Sequence, residues 1–407
     1  MQCITHIHAA RFRSLRDVTV PLGAFTVLIG SNGSGKTNVL NVLRFLGDTS
    51  EVDLAATIER WGGMDRIRSA ARGINANAFV KLGIDGQISE HSLNAPDEYQ
   101  LEFKRNPQGG VTRKEQLTFK RLPGRGRRIT VKGVEYTLVD DKEGSGTQLA
   151  QQEGSFRDDA TTALATLPKF GADQGGQGIA DIADFLQRLF IFEPSVDAIR
   201  EPTRAPATLP DEEDTEARLR PDAANLGVFL VWLRNHHKES FDRLIEDLCA
   251  CVPGVESVEF RNIGGNAAAI EVRIQESGLK RSIPLADASW GTVRLLALLA
   301  VLHYPRPHRL IAIEELDAGL HPYALDRLVD RMREASKTTQ ILVASHSPTL
   351  VNRLQPAEMV ICDRDAETGE SKIPSISQAA IAEALQKAPD FGPGELWFSG
   401  ALGGVPE

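Results

Sequence analysis

The chain is poor in cysteine, in long apolar stretches and in internal repetition, and each shortage excludes something. Four cysteines (Cys3, Cys249, Cys251 and Cys362) among 407 residues cannot form a disulfide framework, so a packed core must hold the fold. The longest apolar run of note is the eight residues Leu295–Leu302, closed by Arg294 and His303, whereas a membrane helix needs about twenty. The opening MQCITHIHAARFR shows no apolar segment of ~7–15 residues behind a basic start, as a secretory leader would, so the expected compartment is the cytoplasm. No segment repeats at a fixed period, which excludes a solenoid. Hydrophobic residues at 42% and charged residues at 25% exclude a largely disordered or fibrous chain.

The net charge of −9 speaks against a globally basic nucleic-acid binder, but it is unevenly spread. Between Lys104 and Gly133 stand ten basic residues and one acid, Glu115, so this window carries +9 and the remainder −18. Such a patch is the footprint expected of a surface that meets a phosphate backbone. The alternative is a solvated basic hairpin that pairs with the acidic stretch Asp211–Glu216.

Hydrophobic patterning predicts strands at 4–10, 17–20 and 24–29, then a helix from about Thr37 with Val39, Leu40, Val42, Leu43, Phe45 and Leu46 at helical spacing. Strand signals return at 78–84 and 99–103. Residues 104–180, rich in Gly, Gln, Arg and Asp, read as hairpins and loops with a short helical part, segment 141–160 being mobile. A helix is expected at 181–190, and IFEPSVDAIREP reads as a strand leading into a loop. Helices follow at 225–237 and 239–250, with hairpin material at 255–285. The last third alternates helix 290–303, strand 309–313, helix 322–335, strand 340–344 and strand 358–362, the mark of a mostly parallel α/β sheet. Cys249 and Cys251 lie in a helical pattern without partners at metal spacing, and read as core.

Gly30-Ser31-Asn32-Gly33-Ser34-Gly35-Lys36-Thr37 fits G-x-x-x-x-G-K-[ST] and sits between an apolar strand and an amphipathic helix, as the chemistry requires. The glycines let successive amides of Asn32, Gly33, Ser34 and Gly35 curl around phosphate, and the helix N-terminus adds partial positive charge. Lys36 is placed to reach the β- and γ-phosphates of a nucleotide, and the Thr37 hydroxyl to ligate Mg²⁺. Leu310-Ile311-Ala312-Ile313-Glu314-Glu315 is a buried strand whose C-terminal end carries two carboxylates, where parallel sheets bind ligands. Glu314 is a candidate for holding Mg²⁺ and Glu315 for polarising an attacking water. A second apolar strand, Ile341–Ala344, ends in Ser345-His346-Ser347, which sets an imidazole at the same sheet end.

With these motifs the chain resembles the ABC-type ATPase heads of the RecF/SMC/overcoming-lysogenization-defect class, in its stand-alone form. The resemblance covers residues 4–46, 181–203 and 222–400. Phe12-Arg13-Ser14-Leu15 resembles the class motif whose arginine, here Arg13, lies near the nucleotide. Leu316–Pro322 matches its D-loop, His346 its switch histidine, and Ala288-Ser289-Trp290-Gly291-Thr292-Val293-Arg294 its signature, with Ser289 and Gly291 in place. The resemblance implies an α/β P-loop NTPase of the ABC-ATPase head type, with a mixed β-sheet, an N-terminal antiparallel β part and a middle insertion. The expected organisation is a first lobe over 1–103, an insertion over 104–221 and a second lobe over 222–407. It further implies ATP and Mg²⁺ as cofactors, and a homodimer in which Ser289 and Gly291 bind nucleotide held by the other copy. A separately encoded effector, such as a toprim-like nuclease, is implied too, with 104–133 as the nucleic-acid contact, in DNA repair or defence against phage.

The sequence departs from the class pattern at Trp290, where a small or acidic residue is usual, and at Glu314, where Asp is commoner. Gln87 and Gln100 are candidates for the Q-loop glutamine by position alone. Asp363-Arg364-Asp365 spells a metal-binding Asp-x-Asp, but only 61 residues follow His346, too few for a toprim fold, and it reads as a solvated strand end. Two other classes remain. A transporter ATPase subunit would carry LSGGQ and an early stacking aromatic. A small-molecule P-loop kinase would need neither signature, D-loop nor switch histidine.

Overall fold

A computed structural model describes the chain except residues 1, 71–74, 76–77, 90–94, 107, 123–124, 141–149, 157–160, 167–175, 205–217, 265–268 and 405–407. The acidic stretch 211–216 and most of the segment 141–160 therefore lie outside the described residues. The chain divides into two units. One comprises Met1–Leu189, Arg309–Ala312 and Gln340–Glu407; the other comprises Phe190–His308 and Ile313–Thr339.

The first unit holds an antiparallel sheet built from β1 (Cys3–Phe12), β2 (Leu15–Pro21), β4 (Val80–Gln87), β5 (Asp97–Arg105), β6 (Val111–Leu122), β7 (Arg125–Lys132), β8 (Glu135–Asp140) and β9 (Ala150–Ser155), with β3 (Phe25–Ile29) placed elsewhere. Its order is β2-β1-β4-β5-β6-β7-β8-β9, so the segment read as an insertion supplies four strands to the same sheet. Side chains alternate across it, as the period of two demands. In β5, Tyr99, Leu101 and Phe103 are buried while Gln100 and Glu102 face outward. Phe103 stacks on Phe45 of helix α1 (Lys36–Glu51) at 5.2 Å between ring centres.

The same alternation splits the basic window. Arg113 and Arg127 turn inward and are buried, whereas Lys114, Arg128 and Lys132 are exposed. Arg113 is fully buried; its Nε donates to Glu115 (2.8 Å) and its guanidinium lies over the Phe156 ring at 4.9 Å. Glu115 also accepts from the Tyr99 hydroxyl (3.0 Å) and the Ala163 amide (2.9 Å). Counting charges along the sequence therefore overstates the surface patch. Beside Ala10, a hollow of about 350 Å³ is lined by His8, Asp17, Thr19, Lys81 and Gln100.

Beside this sheet in the first unit run parallel strands. Strand Gln340–Ser345 pairs β3 from Ile341↔Phe25 to Ser345↔Ile29, and Met359–Ile361 pairs its other side. Every residue of β3 and of 340–345 is buried, which explains their unbroken apolar runs. Gln340 ties the two sheets: its amide bonds both main-chain groups of Ile4 and the Gly23 carbonyl at 2.7–2.9 Å.

The second unit contains helices Leu226–His236, Lys238–Cys251, Trp290–Leu302 and Pro322–Ala335 and the hairpin Val255–Ile263/Ala269–Glu276. Helix 290–302 is buried from Thr292 to Val301, as its apolar run implies. Asp247 binds His303 (2.7 Å) and Arg331 (2.8 Å), linking three of these helices. The segment expected to run from strand to loop near 190–203 instead forms strand Leu189–Phe192 and helix Val196–Arg200. Ser195 caps that helix, its Oγ accepting from the Ala198 amide, a start signal that the short apolar run masks.

Candidate nucleotide site

The phosphate-loop residues sit between β3 and α1 in the first unit. Gly33 and Gly35 have φ of 82° and 102°, conformations that a side chain disfavours. A Cβ on Gly30 would stand 2.2 Å from the Cys362 carbonyl oxygen, and one on Gly35 would stand 2.2 Å from Ser371 Oγ. Helix α1 starts at Gly35 without a side-chain cap, so the amides of its first turn are left for another acceptor. The Lys36 ammonium bonds the carbonyls of Gly30 and Ser31, each at 2.8 Å. Ser34 is fully buried, and its Oγ has no partner among the described residues. Uncapped amides, a cradle that a Cβ would fill and an orphaned hydroxyl all suit a polyphosphate. Thr37 is exposed in the first turn of α1, and Asn32 is exposed at the loop's crest. Because Ser345 partners Ile29, exposed His346 follows at the level of Gly30, the first loop residue.

Arg13, at φ 50°, lies over the rings of Phe12 and Trp61 (5.8 and 5.1 Å), with Nη1 3.5 Å from Asn38 Oδ1. Burial pushes its ionisation below the usual arginine value. Asn38 in turn donates to Ser14 Oγ (2.8 Å), and Ser14 Oγ contacts Ser371 Oγ (2.7 Å). This chain joins the segment Phe12–Leu15 to α1 and to a small hairpin, Asp363–Arg364/Ser371–Lys372. Where a solvated strand end was expected at 363–365, residues 363–364 form a separate hairpin strand, and the hairpin packs on the phosphate loop through Ser371, a contact that nothing local in the sequence signals.

Ser289, Gly291, Glu314 and Glu315 belong to the second unit. Ser289 is the N-cap of helix 290–302: its Oγ accepts from the Thr292 amide (3.1 Å) and contacts Thr292 Oγ1 (2.7 Å). Gly291 packs on the D-loop, where a Cβ would stand 2.3 Å from the Gly319 carbonyl oxygen, and the Trp290 ring covers Gly319. Glu314 closes the strand Leu310–Glu314 and is half-buried; Glu315 follows exposed, at φ 49°. Buried Arg294 donates from Nη2 to the main-chain oxygens of both. Burial lowers the Arg294 ionisation, opposed by Glu315 and Asp317. The predicted residues thus fall into two groups, Arg13, 32–37 and His346 in one unit and the signature with both carboxylates in the other. Arg294 closes the quoted signature segment, yet its sequence position alone gives it no task.

An antiparallel sheet beside a parallel one, with a phosphate loop leading into α1, is the architecture of a P-loop ATPase head. Two family models match the chain: "AAA ATPase domain" over residues 3–104 and "AAA domain, putative AbiEii toxin, Type IV TA system" over residues 150–352. Among solved structures, an SMC head bound to the C-winged helix domain of ScpA matches with a TM-score of 0.54 at 17% identity, covering 95% of this chain and 99% of that one. An SMC head with an extended coiled coil, bound to the C-terminal domain of ScpA from Pyrococcus furiosus, matches with a TM-score of 0.54 at 14% identity, over 96% and 100%. No curated protein matches in sequence. Residues 3–104 and 150–352 thus match AAA ATPase family models, and the fold is that of SMC head domains.

Proposed function

We propose that the chain is a Mg²⁺-dependent ATPase that pairs head to tail with a second copy around two ATP molecules and gates a separately encoded effector in DNA repair or phage defence. The observation that carries the reading is the loop 30–37, with its left-handed glycines, buried Ser34 hydroxyl and uncapped helix. In this reading the amides of 32–36 and the Lys36 ammonium hold the phosphates. Thr37 and Glu314 would hold Mg²⁺, which supplies charge neutralisation on the phosphate oxygens when bound. Glu315 accepts the proton of the water that attacks the γ-phosphorus, and His346 orients that water or the γ-phosphate. Ser289 and Gly291 meet the nucleotide of the other copy, and exposed Trp290 widens that contact. The related SMC heads are bound to ScpA domains, which supports a partner protein here. The exposed Lys114, Arg128 and Lys132 are the nucleic-acid contact within 104–133. Among the described residues no helix is long and apolar enough to cross a membrane.

The test is capture of tagged Glu315→Gln protein from its own host with ATP present, followed by mass spectrometry and nuclease treatment. The substitution should bind ATP and hydrolyse it very slowly, so the ATP-bound dimer is trapped with what it engages. Nucleic acid or a nuclease-like protein in the eluate supports the reading. A membrane permease without nucleic acid overturns it in favour of a transporter subunit.

A further inference from the structure

We infer that Arg364 is a polyphosphate-binding residue, a second cation at the phosphate loop brought there by the hairpin Asp363–Arg364/Ser371–Lys372. The inference rests on the loop binding a nucleoside triphosphate. Gly33 turns at φ 82°, and a Cβ built on it would stand 3.1 Å from Arg364 Nη1. The guanidinium therefore lies against the loop at Gly33, which is exposed whereas Gly30 and Gly35 are buried. Its orientation is set on the other side, where Nε donates to the Gly369 carbonyl at 3.2 Å. Neither Nη1 nor Nη2 has a partner among the described residues, so the fork keeps its terminal donors. A planar fork of this kind recognises phosphate oxygens two at a time, which a lysine cannot do.

The charges of the hairpin lead to the same conclusion. Asp365 pairs with Lys372 (2.9 Å) and accepts from the amides of Glu367 and Thr368. Glu370 pairs with Arg16 (2.7 Å), and Asp363 Oδ1 accepts from the Arg364 amide (2.7 Å). These acids are already engaged, and Arg364 forms no ion pair among the described residues. Its seat is rigid, because Ser371 lies over Gly35, its amide donates to the Ser14 carbonyl (3.0 Å) and its hydroxyl meets that of Ser14 (2.7 Å). Arg13, by contrast, spends its guanidinium on two aromatic rings and Asn38.

The test compares wild type, Arg364→Ala, Arg364→Lys and Lys36→Ala by displacement of a fluorescent ATP analogue with unlabelled ATP and ADP, at low and high salt. Arg364→Ala should weaken ATP binding about tenfold or more. Arg364→Lys should fall between, since a point charge replaces the anchored fork. The loss should shrink at high salt as the charge is screened. The unfolding midpoint without nucleotide should not move, because the side chain is exposed. Wild-type affinity and salt dependence in Arg364→Ala, with binding abolished in Lys36→Ala, overturn the inference and leave the nucleotide site standing. Wild-type affinity in both variants overturns the nucleotide site itself.

Discussion

Arg294 Nη2 donates to the main-chain oxygens of Glu314 (3.0 Å) and Glu315 (2.8 Å) at once. The Glu315 oxygen also accepts from the Ala318 amide (3.0 Å). Glu315 has φ 49°, a conformation that costs a non-glycine residue about 1–2 kcal/mol, and these bonds hold it there. Arg294 stands one turn after Ser289–Gly291 on the same helix, so the signature and the proposed catalytic carboxylate share one rigid link.

Arg294→Ala should therefore lower the ATPase turnover number, by as much as about a hundredfold if Glu315 shifts by an ångström, while ATP affinity stays near wild type. Arg294→Lys should restore part of the rate. In a Glu315→Gln background the same substitution should cost nothing further, because the group it positions is already gone. Equal losses in both backgrounds would show that Arg294 acts through another residue.

The interlock of Gly291 with Gly319 yields a second expectation. A Cβ at Gly291 meets a main-chain oxygen at 2.3 Å, which cannot rotate away, so Gly291→Ala should cost about 1–3 kcal/mol in urea unfolding. A Cβ at Gly319 meets the Trp290 ring at 2.3 Å and also suffers φ 70°. Trp290 is 39% exposed and can swing out, so adding Trp290→Ala to Gly319→Ala should recover the steric share only. A double variant as unstable as Gly319→Ala alone would assign the whole cost to the backbone.

Much of this was legible from sequence because it is local. The loop 30–37 and the strands 25–29, 310–314 and 340–345 are each written in consecutive residues, and strand burial needs only an apolar run. The signature and D-loop segments rest on the family resemblance alone, since Ser289 is also an ordinary helix N-cap. Two features escaped for a different physical reason. The charges of 104–133 are consecutive along the chain, yet a strand sends alternate residues to opposite faces, and Arg113 and Arg127 lie inside with Glu115. Arg364 is 331 positions from Gly33, and only the packing of Ser371 on Gly35 brings them together. In Asp363-Arg364-Asp365 the acids spell a metal-binding pattern, whereas the arginine is the residue that reaches the loop.

The buried Arg113–Glu115 pair makes a prediction whose sign can be worked out. Burial pushes the Glu115 carboxyl above its usual range, against the opposing pull of Arg113, the Ala163 amide and the Tyr99 hydroxyl. Burial and the neighbouring Glu115 likewise push Tyr99 well up. A carboxyl with a raised value in the fold binds its proton more tightly there than in the unfolded chain. Its contribution to stability is fully present below the ordinary value of about 4.3 and is lost as pH rises through the raised one. Measured by denaturant unfolding from pH 4 to 7, the wild type should therefore lose ground to Glu115→Gln as pH rises. A gap moving in the wild type's favour would mean that Arg113 dominates and that the carboxyl is lowered instead. Arg113→Met alone should be costly, about 3–5 kcal/mol, because it strands a buried carboxylate, and that cost should diminish toward pH 4 as Glu115 takes up its proton. Replacing both at once, Arg113→Met with Glu115→Leu, should restore most of the loss, since the pair's mutual attraction only offsets the desolvation that each charge suffers.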